Sequence, residues 1–254
     1  MRRALIGHSG FIGGNLKVQA TFDDFYNSGN IEGIADQRYD LIACAGTPGL
    51  KWLANKEPAA DWKSIKRLMA ALDQCETTKL ILISTVDVYP RPVGVDENTI
   101  VAEGTGSAYG QHRLKLENFV RNRFDSHILR LPGLFGQGLK NNVIFDFINN
   151  HQIEKIDARS VFQFYDLENL WTDIEKCMDF GVPLLNVASE PVAVSEIARE
   201  CFERSFDNQL SAPAARYDFK SKHAALWGGQ NGYLYGKKQI FDQMKRFVGG
   251  KTVL

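Results

Sequence analysis

Two short segments of the chain contain a hydroxyl, a phenol and a cation, which in combination can serve proton transfer. Thr85 follows an apolar run at 79–84, and Arg113 comes four residues after Tyr109. Residues four apart share one face of a helix, so this phenol and this guanidinium should meet. A neighbouring cation favours the phenolate and moves the pKa of a tyrosine toward working pH. Thr85, Tyr109 and Arg113 therefore predict a proton-transfer site for a carbonyl or an alcohol. The alternative is that Tyr109 only packs at a helix start and Arg113 is a solvated surface residue.

The first residues of the chain can bind a pyrophosphate. An apolar run at 3–7 leads into Gly7, Gly10 and Gly13, which are spaced three apart and precede helix-like sequence. Such a turn brings backbone N–H groups to a phosphate at a helix N-terminus. Here Gly7 allows the turn, Gly10 lets the backbone approach phosphate, and Gly13 allows close helix packing. We expect a nicotinamide dinucleotide as the ligand, and a tight turn without a ligand is the alternative.

Both segments need a sheet to position them, and the pattern of apolar runs predicts one. Strands are predicted at 3–7, 39–45, 79–84, 126–131 and 184–188, with a poorly defined one at 21–27. Amphipathic helices are predicted at 61–75, with Asp61 as N-cap, and at 109–123. Further helical stretches are predicted at 15–20, 31–37, 142–149, 169–180, 194–204 and 237–247.

Alternating strands and helices predict an α/β fold with a doubly wound parallel sheet, the Rossmann fold. Its ligands should lie at the carboxyl ends of the strands. We expect a dinucleotide-binding domain at 1–160. Residues 161–254 should return one or two strands to the sheet and form a small C-terminal substrate lobe.

Composition excludes several classes of function. The 254 residues carry 30 basic and 30 acidic side chains, so bulk charge favours neither nucleic acid nor an anionic membrane as partner. No apolar stretch approaches the ~20 residues that span a bilayer. The four cysteines are far apart and the histidines show no metal spacing, which indicates a reduced, cytoplasmic protein without a metal site.

Three motifs resemble the extended short-chain dehydrogenase/reductase family, which includes nucleotide-sugar epimerases, dehydratases and reductases. They are GHSGFIGG at 7–14, ISTVDVYP at 83–90 and YGQHR at 109–113, with weaker matches at 95–97, 129–138, 162–171 and 184–198. The resemblance implies that Thr85 polarises the substrate oxygen and that Tyr109 is the general acid/base. It implies that Arg113 holds the nicotinamide ribose and lowers the pKa of the tyrosine.

The resemblance also implies a set of cofactor contacts at the strand ends and the glycine turn. They are Gly7, Ser9, Gly10, Phe11, Ile12, Gly13, Asn27, Ala45, Gly46, Thr47, Ser84, Tyr109, Arg113, Pro132 and Leu134. The implied activity is NAD(P)-dependent oxidation, reduction or epimerisation of a small carbonyl or alcohol substrate by hydride transfer. The implied substrate is a sugar, including a nucleotide-linked sugar, or another small carbonyl or alcohol compound. A homodimer through the helices at 61–75 and 109–123 is implied as well.

Two departures from the family pattern bear on activity and cofactor choice. The family lysine is Arg113 here, which keeps the charge but does not exchange protons at working pH. A catalytically weak NAD(P)-binding regulatory protein is therefore the alternative function. The acidic residue that binds the ribose of NAD is replaced by Asn27 or Ser28, and no arginine is adjacent in sequence. A neutral residue does not repel a 2′-phosphate, so NADP is favoured, with NAD as the alternative.

Overall fold

The part of the chain described by the computed structural model, residues 1–250, contains ten strands and eight α-helices. The strands are β1 (Arg3–Ile6), β2 (Asp24–Tyr26), β3 (Arg38–Cys44), β4 (Glu76–Thr85), β5 (Ser126–Leu131), β6 (Gly133–Phe135), β7 (Val161–Phe162), β8 (Phe164–Asp166), β9 (Leu184–Asn186) and β10 (Val192–Ala193). The helices are α1 (Phe11–Gln19), α2 (Lys51–Lys56), α3 (Pro58–Asp73), α4 (Ala108–Arg123), α5 (Val143–Asn149), α6 (Leu170–Asp179), α7 (Val194–Phe202) and α8 (Lys237–Gly249). Short 3-10 helices lie at Ile31–Ile34, Val86–Val88, Ile153–Lys155, Leu167–Asn169 and Ala224–Trp227.

Six strands form a central sheet in the order β2-β1-β3-β4-β5-β9. Strand β1 pairs in parallel with β2 on one side and β3 on the other, and β3 pairs in parallel with β4. The strand order reverses beside β1, which is the point where a doubly wound sheet binds its ligands. The predicted Rossmann fold is therefore confirmed. The poorly defined strand at 21–27 is β2, and only a short 3-10 helix separates it from β3.

One face of this sheet forms a buried core with α3 and α4. Side chains two apart on a strand share a face, so β1, β3 and β4 each contribute alternate residues. Helix α3 contributes residues at three- and four-residue spacing, as the sequence pattern predicts. The buried residues of this cluster include Ala4, Ile6, Ile42, Cys44, Leu80, Leu82, Ile65, Leu68, Leu72, Leu116 and Val120.

Helix α3 begins earlier than predicted, and the predicted N-cap Asp61 is wrong. The helix starts at Pro58, a residue favoured at the first helical position because it has no N–H to satisfy. Asp61 lies inside the first turn, and its carboxylate binds side chains of α4 instead.

The chain divides into two compact, interleaved units. The first comprises Met1–Arg91, Ile100–Arg130 and Glu168–Leu185, and it contains nearly all of the central sheet. The second comprises Pro92–Thr99, Leu131–Leu167 and the described residues from Asn186 on. It holds two small sheets, an antiparallel β10-β7 pair and a parallel β6-β8 pair. The single boundary predicted at residue 160 differs from this division, because the chain passes between the units several times.

Within residues 1–250, none of the helices combines the length and the apolar character that crossing a bilayer would require.

Candidate active site

The glycine turn at the end of β1 packs too closely for larger residues. Gly7 has a φ of +87°, and a Cβ there would lie 2.3 Å from the carbonyl oxygen of Ala45. A Cβ on Gly13 would lie 2.1 Å from the carbonyl oxygen of Gly7. Helix α1 thus starts directly against the turn. The N–H groups of its first residues, Phe11 and Ile12, have no acceptor one turn earlier in the helix. This is a cradle of backbone donors for an anion.

The loop after β2 lies beside this turn. The amide nitrogen of Asn27 is 3.2 Å from Nε2 of His8, and its amide oxygen accepts from the backbone N–H of Gly29 at 2.7 Å. Arg67 of α3 donates to the carbonyl oxygen of Ser28 at 2.7 Å and also binds Glu32. An arginine does lie beside the loop. Sequence reasoning missed it because it comes from a helix about 40 residues further along.

Three other predicted cofactor contacts follow β3 at the same edge of the sheet. Ala45 donates its N–H to the carbonyl oxygen of Ile6 at 2.9 Å, which places the Ala45, Gly46 and Thr47 segment next to β1. A Cβ on Gly46 would lie 2.8 Å from Cγ2 of Ile6, so this contact is close as well. Of the remaining predicted contacts, Ser9 and Gly10 lie exposed in the turn itself.

Two further predicted contacts lie at strand β6. Pro132 precedes this strand and Leu134 is its middle residue; both belong to the second compact unit. The carbonyl oxygen of Leu134 accepts from the side-chain amide of Asn142 at 2.7 Å. Their contact with a cofactor stays a prediction.

Thr85 and Tyr109 are brought together, as the residue pattern predicts. Thr85 ends β4, and its hydroxyl accepts from the backbone N–H of Asp87 at 3.1 Å. Tyr109 lies in the first turn of α4, where its N–H donates to the side-chain oxygen of Asn55 at 3.0 Å. The hydroxyl of Thr85 hydrogen-bonds to the phenol of Tyr109. A hydroxyl and a phenol therefore face one point at the carboxyl end of β4.

Arg113 stacks on Tyr109 and is fully buried. Its guanidinium carbon lies 3.8 Å from the centroid of the Tyr109 ring, and 1% of the residue is exposed. Nη1 and Nη2 bind the two carboxylate oxygens of Asp61 at 2.7 and 2.9 Å. They also donate to the carbonyl oxygens of Tyr109 at 3.1 Å and Pro48 at 2.5 Å. The alternative that Arg113 is a solvated surface residue is therefore wrong.

Asp61 is the partner that sequence reasoning missed. It is buried, and it also accepts from Nδ1 of His112 at 2.7 Å. The carboxylate binds the guanidinium of Arg113 with two parallel, charge-assisted hydrogen bonds, which fix the position of the cation. The only sequence signal for this role was a carboxylate near the start of a predicted helix. The same signal predicts an N-cap equally well.

The expected pKa shift of Tyr109 toward working pH is wrong in this structure. Burial raises the pKa of the phenol above its ordinary value. The positive charge of Arg113 opposes this effect and the negative charge of Asp87 adds to it. The hydrogen bond from Thr85 and the charge of Lys51 also lower the pKa, but the net effect of all these influences is a raised pKa. The phenol therefore keeps its proton at neutral pH, which suits a proton donor.

Ser84, a predicted cofactor contact, has its hydroxyl bound to a buried ion pair. The hydroxyl donates to Oε1 of Glu117 at 2.6 Å, and Arg130 binds the same carboxylate at 2.6 Å through Nη2. Nη1 of Arg130 donates to the hydroxyl of Tyr89 at 2.8 Å. This network ties the last residues of β4 to α4 and β5, so it fixes the strand end that carries Thr85.

Two features of the site fit a dinucleotide. A Cβ on Gly7 or Gly13 would fill the cradle at the start of α1. Because both residues are glycine, bare backbone is present where a pyrophosphate binds. Nε of Arg113 is a buried donor without a hydrogen-bond partner, and it lies beside Tyr109. A ribose hydroxyl could accept from it. The fold and the site together define a Rossmann-type protein in which Thr85, Tyr109 and Arg113 lie together at the carboxyl end of β4.

The chain belongs to the NAD dependent epimerase/dehydratase family. The profile of this family matches residues 21–181, which is more than half of the chain and includes Thr85, Tyr109 and Arg113. The glycine turn lies before the matched residues. No curated protein matches the chain.

Solved structures share the fold at low sequence identity. UDP-glucose 4-epimerase from Thermotoga maritima, solved with UDP-glucose, has a TM-score of 0.75 at 14% identity over 100% of both chains. RMD from Pseudomonas aeruginosa, solved with NADPH, has a TM-score of 0.75 at 16% identity over 99% of this chain and 98% of its own. The dTDP-4-dehydrorhamnose reductase from Bacillus anthracis, solved with NADP, has a TM-score of 0.73 at 18% identity over 98% and 99%.

Proposed function

We propose that the protein is an NAD(P)-dependent oxidoreductase or epimerase that acts on a nucleotide-linked sugar. The observation that carries this proposal is the grouping of Thr85, Tyr109 and Arg113 at the carboxyl end of β4, in a chain of the epimerase/dehydratase family. Similar structures were solved with UDP-glucose, NADPH or NADP, which supports this class of substrate and cofactor. The implied homodimer through α3 and α4 is part of the same proposal.

The cofactor would lie across the ends of β1 to β4. Its pyrophosphate would sit on the first N–H groups of α1, and its adenosine ribose would lie near Asn27. The neutral Asn27 and the nearby Arg67 favour NADP over NAD, although Glu32 already binds that arginine. The nicotinamide ribose would accept from Nε of Arg113, the buried donor that has no partner.

The roles of the protein side chains follow from their positions. The bound nicotinamide supplies or accepts a hydride. In the reducing direction, Thr85 hydrogen-bonds to the carbonyl oxygen of the substrate, and Tyr109 donates its phenolic proton as that oxygen gains charge. In the oxidising direction the phenolate of Tyr109 takes the proton from the alcohol. The raised pKa of Tyr109 keeps the phenol protonated at neutral pH, and this is the form that the reducing direction uses.

Replacing Tyr109 by Phe should lower turnover by about 10²-fold, because this change removes the proton donor and little else. The test follows NADPH or NAD absorbance with a panel of nucleotide sugars and smaller carbonyl compounds. Tyr39→Phe is the matched control, since Tyr39 lies near the opposite, amino end of the sheet and should leave turnover unchanged. Equal turnover by Tyr109→Phe and by the unaltered protein would rule out Tyr109 as the proton donor.

A regulatory NAD(P)-binding protein with little turnover is the second candidate. The pairing of Arg113 with Asp61 favours it, because it weakens the cation that should activate the phenol. Micromolar cofactor binding with no turnover on the whole panel, and no effect of Tyr109→Phe, would favour this candidate over the enzyme.

Gly13→Ala should weaken dinucleotide binding by about tenfold or more and destabilise the fold. The new Cβ would lie 2.1 Å from the carbonyl oxygen of Gly7, so α1 must move away from the turn. Gly14→Ala is the matched control, because a Cβ there meets nothing within 4 Å. It should keep affinity and stabilise the helix by about 0.5–1 kcal/mol. Fluorescence titration with NADPH measures the affinity, and urea unfolding measures the stability. Equal affinities of the two variants would contradict the proposed cradle.

A further inference from the structure

We propose that Lys51 is a positioning residue of this active site, whose ammonium group acts through Tyr109 as the proton-exchanging cation that Arg113 cannot be. The proposal rests on the proposed function, because it assigns Tyr109 a proton to give. It concerns a residue 58 positions away from Tyr109 in the chain, outside the three motifs that carry the family resemblance.

Arg113 is unsuited to proton exchange for two reasons. A guanidinium does not lose its proton at working pH. Its terminal nitrogens are also committed, since they bind Asp61 twice and the carbonyl oxygens of Tyr109 and Pro48. The remaining N–H, at Nε, is buried beside the ring rather than open to water. The site therefore needs another group to return a proton to a Tyr109 phenolate.

Helix α2 brings Lys51 to the first turn of α4. Lys51 and Asn55 are four residues apart, so they lie on one face of α2. Asn55 accepts the backbone N–H of Tyr109 at 3.0 Å, which sets this face against the start of α4. The Lys51 ammonium binds Oδ1 of Asp87 at 2.7 Å. Asp87 itself touches α4 closely, because a Cβ on Gly110 would lie 2.0 Å from its carbonyl oxygen.

The charges around the phenol come from three elements. Arg113 of α4 and Lys51 of α2 favour the phenolate, and Asp87 after β4 opposes it. Behind Arg113, Asp61 and His112 form the other end of its ion pair. Lys51 differs from Arg113 in its access to water, since 43% of its side chain is exposed against 2%. A lysine amine on a side chain that reaches the solvent can regain a proton there.

The proton balance of the step is simple. The O–H bond of Tyr109 breaks as its proton goes to the substrate oxygen, which leaves a phenolate. An N–H bond of Lys51 then breaks, and its proton restores the phenol directly or through a water molecule. The neutral amine of Lys51 takes a proton from bulk solvent. No electrons are transferred in these steps.

The test compares four variants in two measurements. Tyrosine Cζ resonances, assigned with Tyr109→Phe, follow the phenol against pH without a substrate. Lys51→Met should raise its titration midpoint by about half a pKa unit or more, and Asp87→Asn should lower it by a similar amount. Lys51→Arg should keep the midpoint, because it keeps the charge. Lys56→Met, an exposed lysine at the end of the same helix, should leave the midpoint unchanged.

Turnover separates charge from proton exchange. Lys51→Met should lower kcat by about tenfold and change its pH profile, with KM nearly unchanged. Lys51→Arg should not restore kcat, because arginine holds its proton. An unchanged midpoint in Lys51→Met, or full turnover in Lys51→Arg, would overturn the proposal. If the whole substrate panel is inert, the proposed function fails. In that case the titration alone tests the link from Lys51 to Tyr109. A shifted midpoint in Lys51→Met supports the link, and an unshifted midpoint contradicts it.

Discussion

Arg130→Met should lower the free energy of unfolding by about 3–5 kcal/mol, since it leaves the carboxylate of Glu117 buried without its main counter-charge. Glu117 is fully buried and Arg130 is 2% exposed. The pair is held by three contacts between 2.6 and 3.2 Å. Burial lowers the pKa of the Arg130 guanidinium, but the hydrogen bonds to Glu117 outweigh this effect. The guanidinium of Arg130 is therefore charged where it binds Glu117.

Arg121 provides a matched control on the same carboxylate. It binds Oε2 of Glu117 at 3.2 Å, but 38% of its side chain is exposed. Arg121→Met should cost less than about 1 kcal/mol, as exposed pairs do. The double variant Arg130→Met with Glu117→Leu should regain most of the loss, because it removes both buried charges. Urea unfolding measures all three, and similar losses for Arg121→Met and Arg130→Met would contradict this account of the pair.

The sheet and the glycine turn could be predicted because their signals are local. An apolar run that ends in closely spaced glycines has few other structural explanations, and the turn found at Gly7 needs glycine for reasons of space. The meeting of Tyr109 with Arg113 was predictable for the same reason, since a helix sets their spacing. Even β2, which the pattern defined poorly, lies within its predicted range.

The charge partners could not be predicted, because they come from distant parts of the chain. Asp61 lies 52 residues from Arg113, and Lys51 lies 36 residues from Asp87. Alone, each of these side chains looks like an ordinary helix-surface residue or cap. Their effects on Tyr109 depend on which helix packs where, and on burial that the sequence does not display. This explains why the direction of the pKa shift of Tyr109 was wrong.

The interleaving of the two compact units escaped prediction for a related reason. The sequence offers no linker of distinctive composition at 92–99 or at 131, where the chain passes from one unit to the other. Such crossings follow from long-range pairing. One example is the N–H of Gly94 that donates to the carbonyl oxygen of Asp218 within the second unit. Residues 92–99 thus belong with partners more than a hundred positions later.

Asp61→Asn should also cost about 3–5 kcal/mol of stability at neutral pH, because the buried Arg113 loses its carboxylate. Asp73→Asn is the matched control. Asp73 lies on the same helix and pairs with an arginine of the same α4, Arg123, but 53% of its side chain is exposed. That change should cost less than about 1 kcal/mol. Similar losses of stability in the two variants would contradict the burial of the Asp61–Arg113 pair that the structure shows.

The pH dependence of this loss tests the charge on Asp61 itself. Burial raises the pKa of the carboxyl, but the hydrogen bonds from Arg113 and His112 outweigh burial and leave the pKa below its ordinary value. A carboxyl whose pKa is lowered in the folded state stabilises the protein above its unfolded pKa, about 3.9. That stabilisation is lost as pH falls from there through the folded value. The stability difference between the unaltered protein and Asp61→Asn should therefore shrink as pH drops from about 5 to about 3. Urea unfolding over this range measures it. A difference that stays constant would show that Asp61 acts by shape and hydrogen bonding rather than by its charge.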